Sequence, residues 1–154
     1  MPPCDFAGSS FNLITAYSVF SHLSEDAFIA WLREFDRVLK PAGIVALTTR
    51  NEGFLDYCAS LYSKMNELSG YQLALAMSLG RDASLKSKYL SGEFVFVSDH
   101  RISGGGSMNE SFYGETFIPR AYVQEHLVNE FEILDYKQTG RAYDQALFVL
   151  KKRS

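Results

Sequence analysis

The chain has 154 residues, which suits one domain. Hydrophobic residues make up 47% and charged residues 21%, a mix that excludes a disordered chain, and a net charge of −3 argues against nonspecific binding to nucleic acid or to an anionic membrane. Two distant cysteines, Cys4 and Cys58, make no disulfide framework, so a cytoplasmic setting is the expectation; with three scattered histidines they give no metal-ligand spacing.

The amino-terminal MPPCDFAGSS lacks the basic and apolar regions of a signal peptide, and no apolar run is long enough for a membrane helix. FNLITA (11–16) reads as a short buried strand that runs into the polar-tipped Tyr17, Ser18, Ser21 and His22. Residues 24–39 form the clearest helix. Ser24 caps it, Glu25 and Asp26 suit its positive end, and Phe28, Trp31, Leu32, Phe35, Val38 and Leu39 make one apolar stripe, with Arg33, Glu34, Asp36 and Arg37 on the solvent side. Pro41 stops this helix and Gly43 permits a positive φ in the turn. IVALTT (44–49) is a second buried strand, and the helical crossover makes the two strands parallel.

Downstream, helical patterns cover 53–68, 71–80 and 82–90, and 94–97 is extended. Residues 102–107 form a loop whose Gly104-Gly105-Gly106 reads as a hinge, because no Lys-Ser/Thr follows to make a phosphate cradle. FYGETFI (112–118) is β-prone, and Pro119 opens a helix to about 129. FEILDYKQ (131–138) and QALFVLKK (145–152) read as an antiparallel hairpin, giving a mostly parallel sheet with one antiparallel strand. The basic tail Lys151-Lys152-Arg153 reads as a solvated terminus.

Open parallel sheets bind ligands beyond the carboxyl ends of their strands. Tyr17, Ser18 and His22 follow one such end, and Arg50, Asn51 and Glu52 follow the other, so both sets fall on one rim. Each has a plainer reading. His22 can pack at the start of the next helix, Tyr17 can pack on a neighbour, and Arg50 can make a surface ion pair. Trp31 lies on the apolar stripe and reads as core.

FNLITAYSVFSHL, the helix ending WLREFDRVLKPAG and the strand IVALTTR together resemble the class I S-adenosylmethionine-dependent methyltransferases. FYGETFIPRAYVQEHL, FEILDYK and QALFVLKK resemble that family's last helix and terminal hairpin. Asn12 stands where the family usually has Asp, and Ala42 where it has the first Gly of KPGG. The resemblance covers roughly residues 3–50 and 112–152 of a single partial domain, with a variable acceptor-side insertion at about 53–111. It implies a Rossmann-like α/β fold and S-adenosyl-L-methionine as cofactor. Asp5 and Phe6 would approach the adenine; Ala16, Tyr17 and Ser18 would line the methionine part; Phe20 and His22 would sit near the transferred methyl or the acceptor. His22 is the one candidate for a catalytic base, while Arg50, Asn51, Tyr113 and Phe117 are acceptor-side candidates.

The family's glycine-rich cofactor loop and its ribose-binding acid are missing from the sequence. The expectation is therefore the carboxyl-terminal half of a longer enzyme, with Met1 an internal or misplaced start and this chain alone inactive. The strand at 11–17 would then carry an unpaired apolar edge prone to self-association. The acceptor is expected to be a small molecule, with no nucleic acid or membrane partner. Two other readings compete. One is a noncatalytic interaction module derived from a methyltransferase. The other is a dehydrogenase remnant, which the terminal hairpin disfavours.

Overall fold

The computed structural model describes residues 2–104, 108–139, 141 and 145–153. Of the expected loops, Gly105, Gly106 and the Gly140 turn position lie outside the described residues, as does Met1. The chain begins with β1 (Phe11–Ala16), α1 (Glu25–Val38) and β2 (Leu39–Arg50), the strand–helix–strand unit the apolar pattern anticipates. β1 and β2 are parallel, with Leu13 opposite Ile44 and Ala16 opposite Leu47. Ser24 caps α1 through its hydroxyl, which accepts from the Ala27 amide, and Glu25 and Asp26 occupy the first turn.

The Pro41-Ala42-Gly43 stretch, expected as a turn before the strand, falls inside β2 and differs from its expected form. The left-handed residue is Ala42, at φ 61°, and Gly43 is needed for space instead. A Cβ on Gly43 would lie 2.9 Å from both Leu39 Cδ2 and the Lys40 carbonyl oxygen. Glu34 also departs from the solvent face assigned to it. The segment before β1 folds back over α1, so that Glu34 is buried and its Oε1 accepts from the Cys4 amide at 3.0 Å.

The insertion forms α2 (Glu52–Tyr62), a 3₁₀ turn (Met65–Glu67), α3 (Gly70–Leu75) running into a π-helical turn (Ala76–Gly80), α4 (Ser84–Leu90), β3 (Val95–Val97) and β4 (Glu115–Phe117). The chain closes with α5 (Arg120–His126), β5 (Phe131–Lys137) and β6 (Gln145–Lys152). Pairing runs β3-β4-β2-β6-β5, with β1 also on β2.

The sheet corrects the mostly parallel expectation. β1–β2 and the single β2–β4 step are parallel, whereas β2–β6, β3–β4 and β5–β6 are antiparallel. The excess arises because β6 inserts antiparallel between β2 and β5, and the insertion adds its own antiparallel pair. The α/β class stands, as a mixed and mostly antiparallel sheet.

Side chains alternate along β2 and β6. Val45, Leu47, Phe148 and Leu150 enter the main core with Phe28 and Leu32 of α1 and Tyr122 and Val123 of α5. A second core joins α2, α3 and α4 to Val95 and Phe117 and contains no residue of β1, β2, β5 or β6. Ile44, Ala46, Leu147 and Val149 point the other way, are only half-buried, and join neither core. Beside them Leu13 is 56% exposed. Among the described residues β1 pairs with β2 alone, and no helix is long and apolar enough to cross a membrane.

Candidate functional site

β1 ends at Ala16, β2 at Arg50, and antiparallel β6 begins opposite Arg50 at Gln145, so all three meet on one rim. Ser18 turns the chain there in the left-handed region, at φ 57°, a conformation that side chains resist. Its amide donates to Thr48 Oγ1 at 2.8 Å, and Gln145 Nε2 donates to its hydroxyl at 2.9 Å. Thr48 in turn donates to Gln145 Oε1 at 2.5 Å. The exit from β1 is thus tied to the end of β2 and the start of β6 by polar side chains that satisfy one another.

The loop then crosses to the insertion. The Thr116 amide donates to the Ser21 carbonyl and the Gly114 amide to the His22 carbonyl, each at 2.9 Å. Leu23 bridges Tyr113, and the Ser24 amide reaches the Phe112 carbonyl at 2.9 Å. Residues 112–116 therefore run along the loop as an added strand would.

This stitching assembles a second cluster around Glu115, which is 1% exposed. Arg50 Nε donates to Glu115 Oε2 at 2.7 Å, and its guanidinium lies 4.1 Å over the Phe54 ring. Tyr71 donates its hydroxyl to Glu115 Oε1. His22 Nδ1 is 2.8 Å from the Gly114 carbonyl and 3.7 Å from Glu115 Oε1, and its ring stacks on Tyr113 at 5.1 Å. Burial pulls the Arg50 guanidinium down, but the hydrogen bond and charge of Glu115 outweigh it and hold it above its ordinary value. Burial, then the charge of Glu115 and the hydrogen bond to it, push the Tyr71 phenol up. Burial, helped by Glu115, pushes the Cys58 thiol up to about 12, which leaves it an inert core residue.

The sequence-predicted residues divide clearly. Ala16, Tyr17, Ser18 and His22 gather on the rim with Arg50 and Tyr113, and Tyr17 is 79% exposed. Asp5 and Phe6 are exposed beside β1, with Phe6 edge-on to Phe11 at 5.0 Å. Phe20 does not face the rim; it is buried against Phe28 and Phe35. Phe117 is likewise buried, against Phe54. Asn51 is buried as the N-cap of α2, where its side chain accepts from the Phe54 amide. Arg50 is committed to Glu115, so an acidic acceptor would have to compete with an internal carboxylate for it.

Sequence reasoning missed Thr48, Glu115, Gln145 and Tyr71. The signal for Thr48 was the pair of hydroxyls, Thr48 and Thr49, that ends the apolar run of that strand. Among the described residues no group of three side chains could hold a metal ion. A cleft of about 550 Å³ between α1 and α5 lies away from the rim and is lined by Glu25, Asp26, Arg33, His126 and Glu130, among others.

Residues 2–47 match the family model described as a methyltransferase domain, which is the segment from the amino-terminal loop through most of β2. The fold is similar to that of a SAM-dependent methyltransferase from Methanosarcina mazei, with a TM-score of 0.53 and 16% identity, over 98% of this chain and 63% of that one. It is also similar to the PH0226 protein of Pyrococcus horikoshii OT3, with a TM-score of 0.51 and 13% identity, over 99% of this chain and 56% of that one. The chain thus spans less than two thirds of the length of either structure. No curated protein matches it by sequence. These findings bear out the resemblance to the class I S-adenosylmethionine-dependent methyltransferases.

Proposed function

We propose that the chain serves S-adenosyl-L-methionine-dependent methyl transfer to a small-molecule acceptor, as the carboxyl-terminal part of a longer enzyme. The observation that carries this reading is the polar rim where β1 and β2 end, set on the strand–helix–strand unit that matches the methyltransferase model. The methyl donor has an aromatic base at one end and a polar amino-acid group at the other. The exposed rings of Phe6 and Tyr17 and the hydroxyl of Ser18 fit one wall of a site for it. Asp5 and Phe6 would hold the base, and Ala16, Tyr17 and Ser18 the amino-acid end. Phe20 supports the loop from below, while His22, Arg50 and Tyr113 face the acceptor side.

When bound, the cofactor supplies a methyl group on a positively charged sulfur, already activated for in-line transfer. The protein's part is to align that methyl with the acceptor and keep water out. The lock of Ser18 to Thr48 and Gln145 would keep the wall rigid during alignment. Calorimetry with S-adenosylhomocysteine tests the half-site character: no tight binding is expected of this chain alone, and micromolar binding overturns it.

The bare edge of β1 and the uncovered sheet face favour a second reading, a noncatalytic module that binds a partner there. They also support self-association through residues 11–17. Encoded sequence upstream of Met1 separates the two functions. A strand, a glycine-rich turn and an acidic residue there support the enzyme; a stop codon and promoter there support the module.

A further inference from the structure

We propose that the cleft between α1 and α5 is a second binding site, one that takes a small organic ammonium carrying an apolar stem. It lies away from the rim and does not depend on the methyl-transfer reading. Its volume of about 550 Å³ is that of a small-molecule pocket.

The floor is apolar. Leu32, Leu127 and Phe131 are buried beneath the cleft, with Ile29 half-buried beside them. The walls are acidic. Glu25, Asp26 and Glu130 line the cleft, and among its described residues Arg33 is the one lysine or arginine. A neighbouring cleft of about 390 Å³ shares Glu25, Tyr122 and His126 with it and adds Glu93 and Glu125, so the negative charge extends along one groove. Tyr122 donates its hydroxyl to Glu25 Oε1 at 2.5 Å and stacks on His126 at 4.1 Å, which fixes the wall.

Glu25 and Asp26 have a local reason to be there, since they complement the positive end of α1. That reason does not extend to Glu130. It stands between α5 and β5, and its carbonyl accepts from the Arg153 amide at 2.8 Å, which pins the backbone. Its side-chain Oε2 is shut off from solvent, and among the described residues it is the one such side-chain atom with no hydrogen-bond partner. A carboxylate oxygen placed there calls for a donor, because leaving it bare forfeits the hydration it gave up.

The surroundings select that donor. Repulsion from the carboxylates excludes an anion. Among the described residues no group of three His, Cys, Asp or Glu could hold a metal ion, so the acids are not set for one. A water would satisfy Oε2 but would leave the charge and the apolar floor without a counterpart. An alkylammonium answers all three: its N–H donates to Oε2 in a charge-assisted hydrogen bond, its charge offsets the acids, and its stem covers Leu127 and Phe131.

NMR titration of the whole chain with hexylamine, against hexanol as the uncharged counterpart, tests the site. Saturable shifts at Ile29, Leu32, Leu127 and Glu130 are expected, with hexylamine bound about tenfold or more tightly than hexanol. Equal affinity for the two overturns the proposal. So does the absence of saturable shifts in the cleft, the outcome if Oε2 holds only a water. Glu130→Gln should weaken hexylamine about tenfold, the loss of one charge-assisted hydrogen bond, and an unchanged affinity in the folded variant overturns the role of Glu130. Arg33→Gln, at an exposed position, removes the competing cation and should tighten hexylamine severalfold. An unchanged or weaker affinity there contradicts the proposal even if Glu130→Gln does not fold.

Discussion

Val45, Leu47, Phe148 and Leu150 lie sealed beneath α1 and α5, whereas Ile44, Ala46, Leu147 and Val149, one position along the same strands, are only half-buried and join neither core. Both sets are apolar. The near-continuous run IVALTT is the pattern of a strand buried on two faces, since a one-sided strand alternates apolar with polar. The difference teaches that the strands are composed for cover on both sides and, among the described residues, join a core on only one. The half-buried face continues onto Leu13 and the edge of β1 that has no partner strand among the described residues, beside the rim proposed to hold the methyl donor.

The largest expected contrast is between neighbours on β6. Phe148→Ala should cost about 3–5 kcal/mol of stability in urea unfolding, because it empties a sealed site. Val149→Ala, on the half-buried face, should cost less than about 1 kcal/mol. Equal losses would mean that the second face is covered in solution. Leu13→Lys should shift sedimentation toward monomer with stability changed by no more than about 0.5 kcal/mol. A parent chain that is monomeric at every concentration and melts cooperatively would contradict the sticky edge.

The covered side of α1 also carries a pH signature. A hydrogen bond from Arg37, then those from Cys4, hold the Glu34 carboxyl down at about 2, against an ordinary 4.5. Its contribution is complete above the unfolded value of about 4.5 and is lost as pH falls toward 2, because the unfolded carboxyl takes its proton first. Glu34→Gln should flatten the acid-unfolding slope in that window, and an unchanged slope would contradict the arrangement. The smallest effect is expected at Ala42, near the start of β2. Ala42→Gly should stabilise by about 0.5–1 kcal/mol, relief of left-handed strain outweighing the entropy of glycine. A destabilised variant would place the strain elsewhere.

β1, α1, β2 and the terminal hairpin were legible because local rules specify them: a Ser24 cap, a helical stripe, short apolar strands. The balance of the sheet was not, because β3 and β4 are three residues each and exist only by pairing with each other and with the end of β2. The π-helical turn was hidden for a similar reason. Gly80 lies so close to α2 that a Cβ would sit 2.2 Å from the Cys58 carbonyl oxygen. Half of the rim was legible as whatever follows a strand. Glu115 and Gln145 were not, since they reach Arg50, Thr48 and Ser18 across 65, 97 and 127 positions of chain. Glu34 escaped because periodicity places a residue on a helix face and is blind to a distant segment folding over it.

The most direct test of the central claim is an amide NMR titration of the whole chain with S-adenosylhomocysteine. Weak binding with shifts centred on Phe6, Ala16, Tyr17, Ser18 and His22 is the predicted result. Shifts absent from that rim and centred instead on the cleft between α1 and α5 would contradict it.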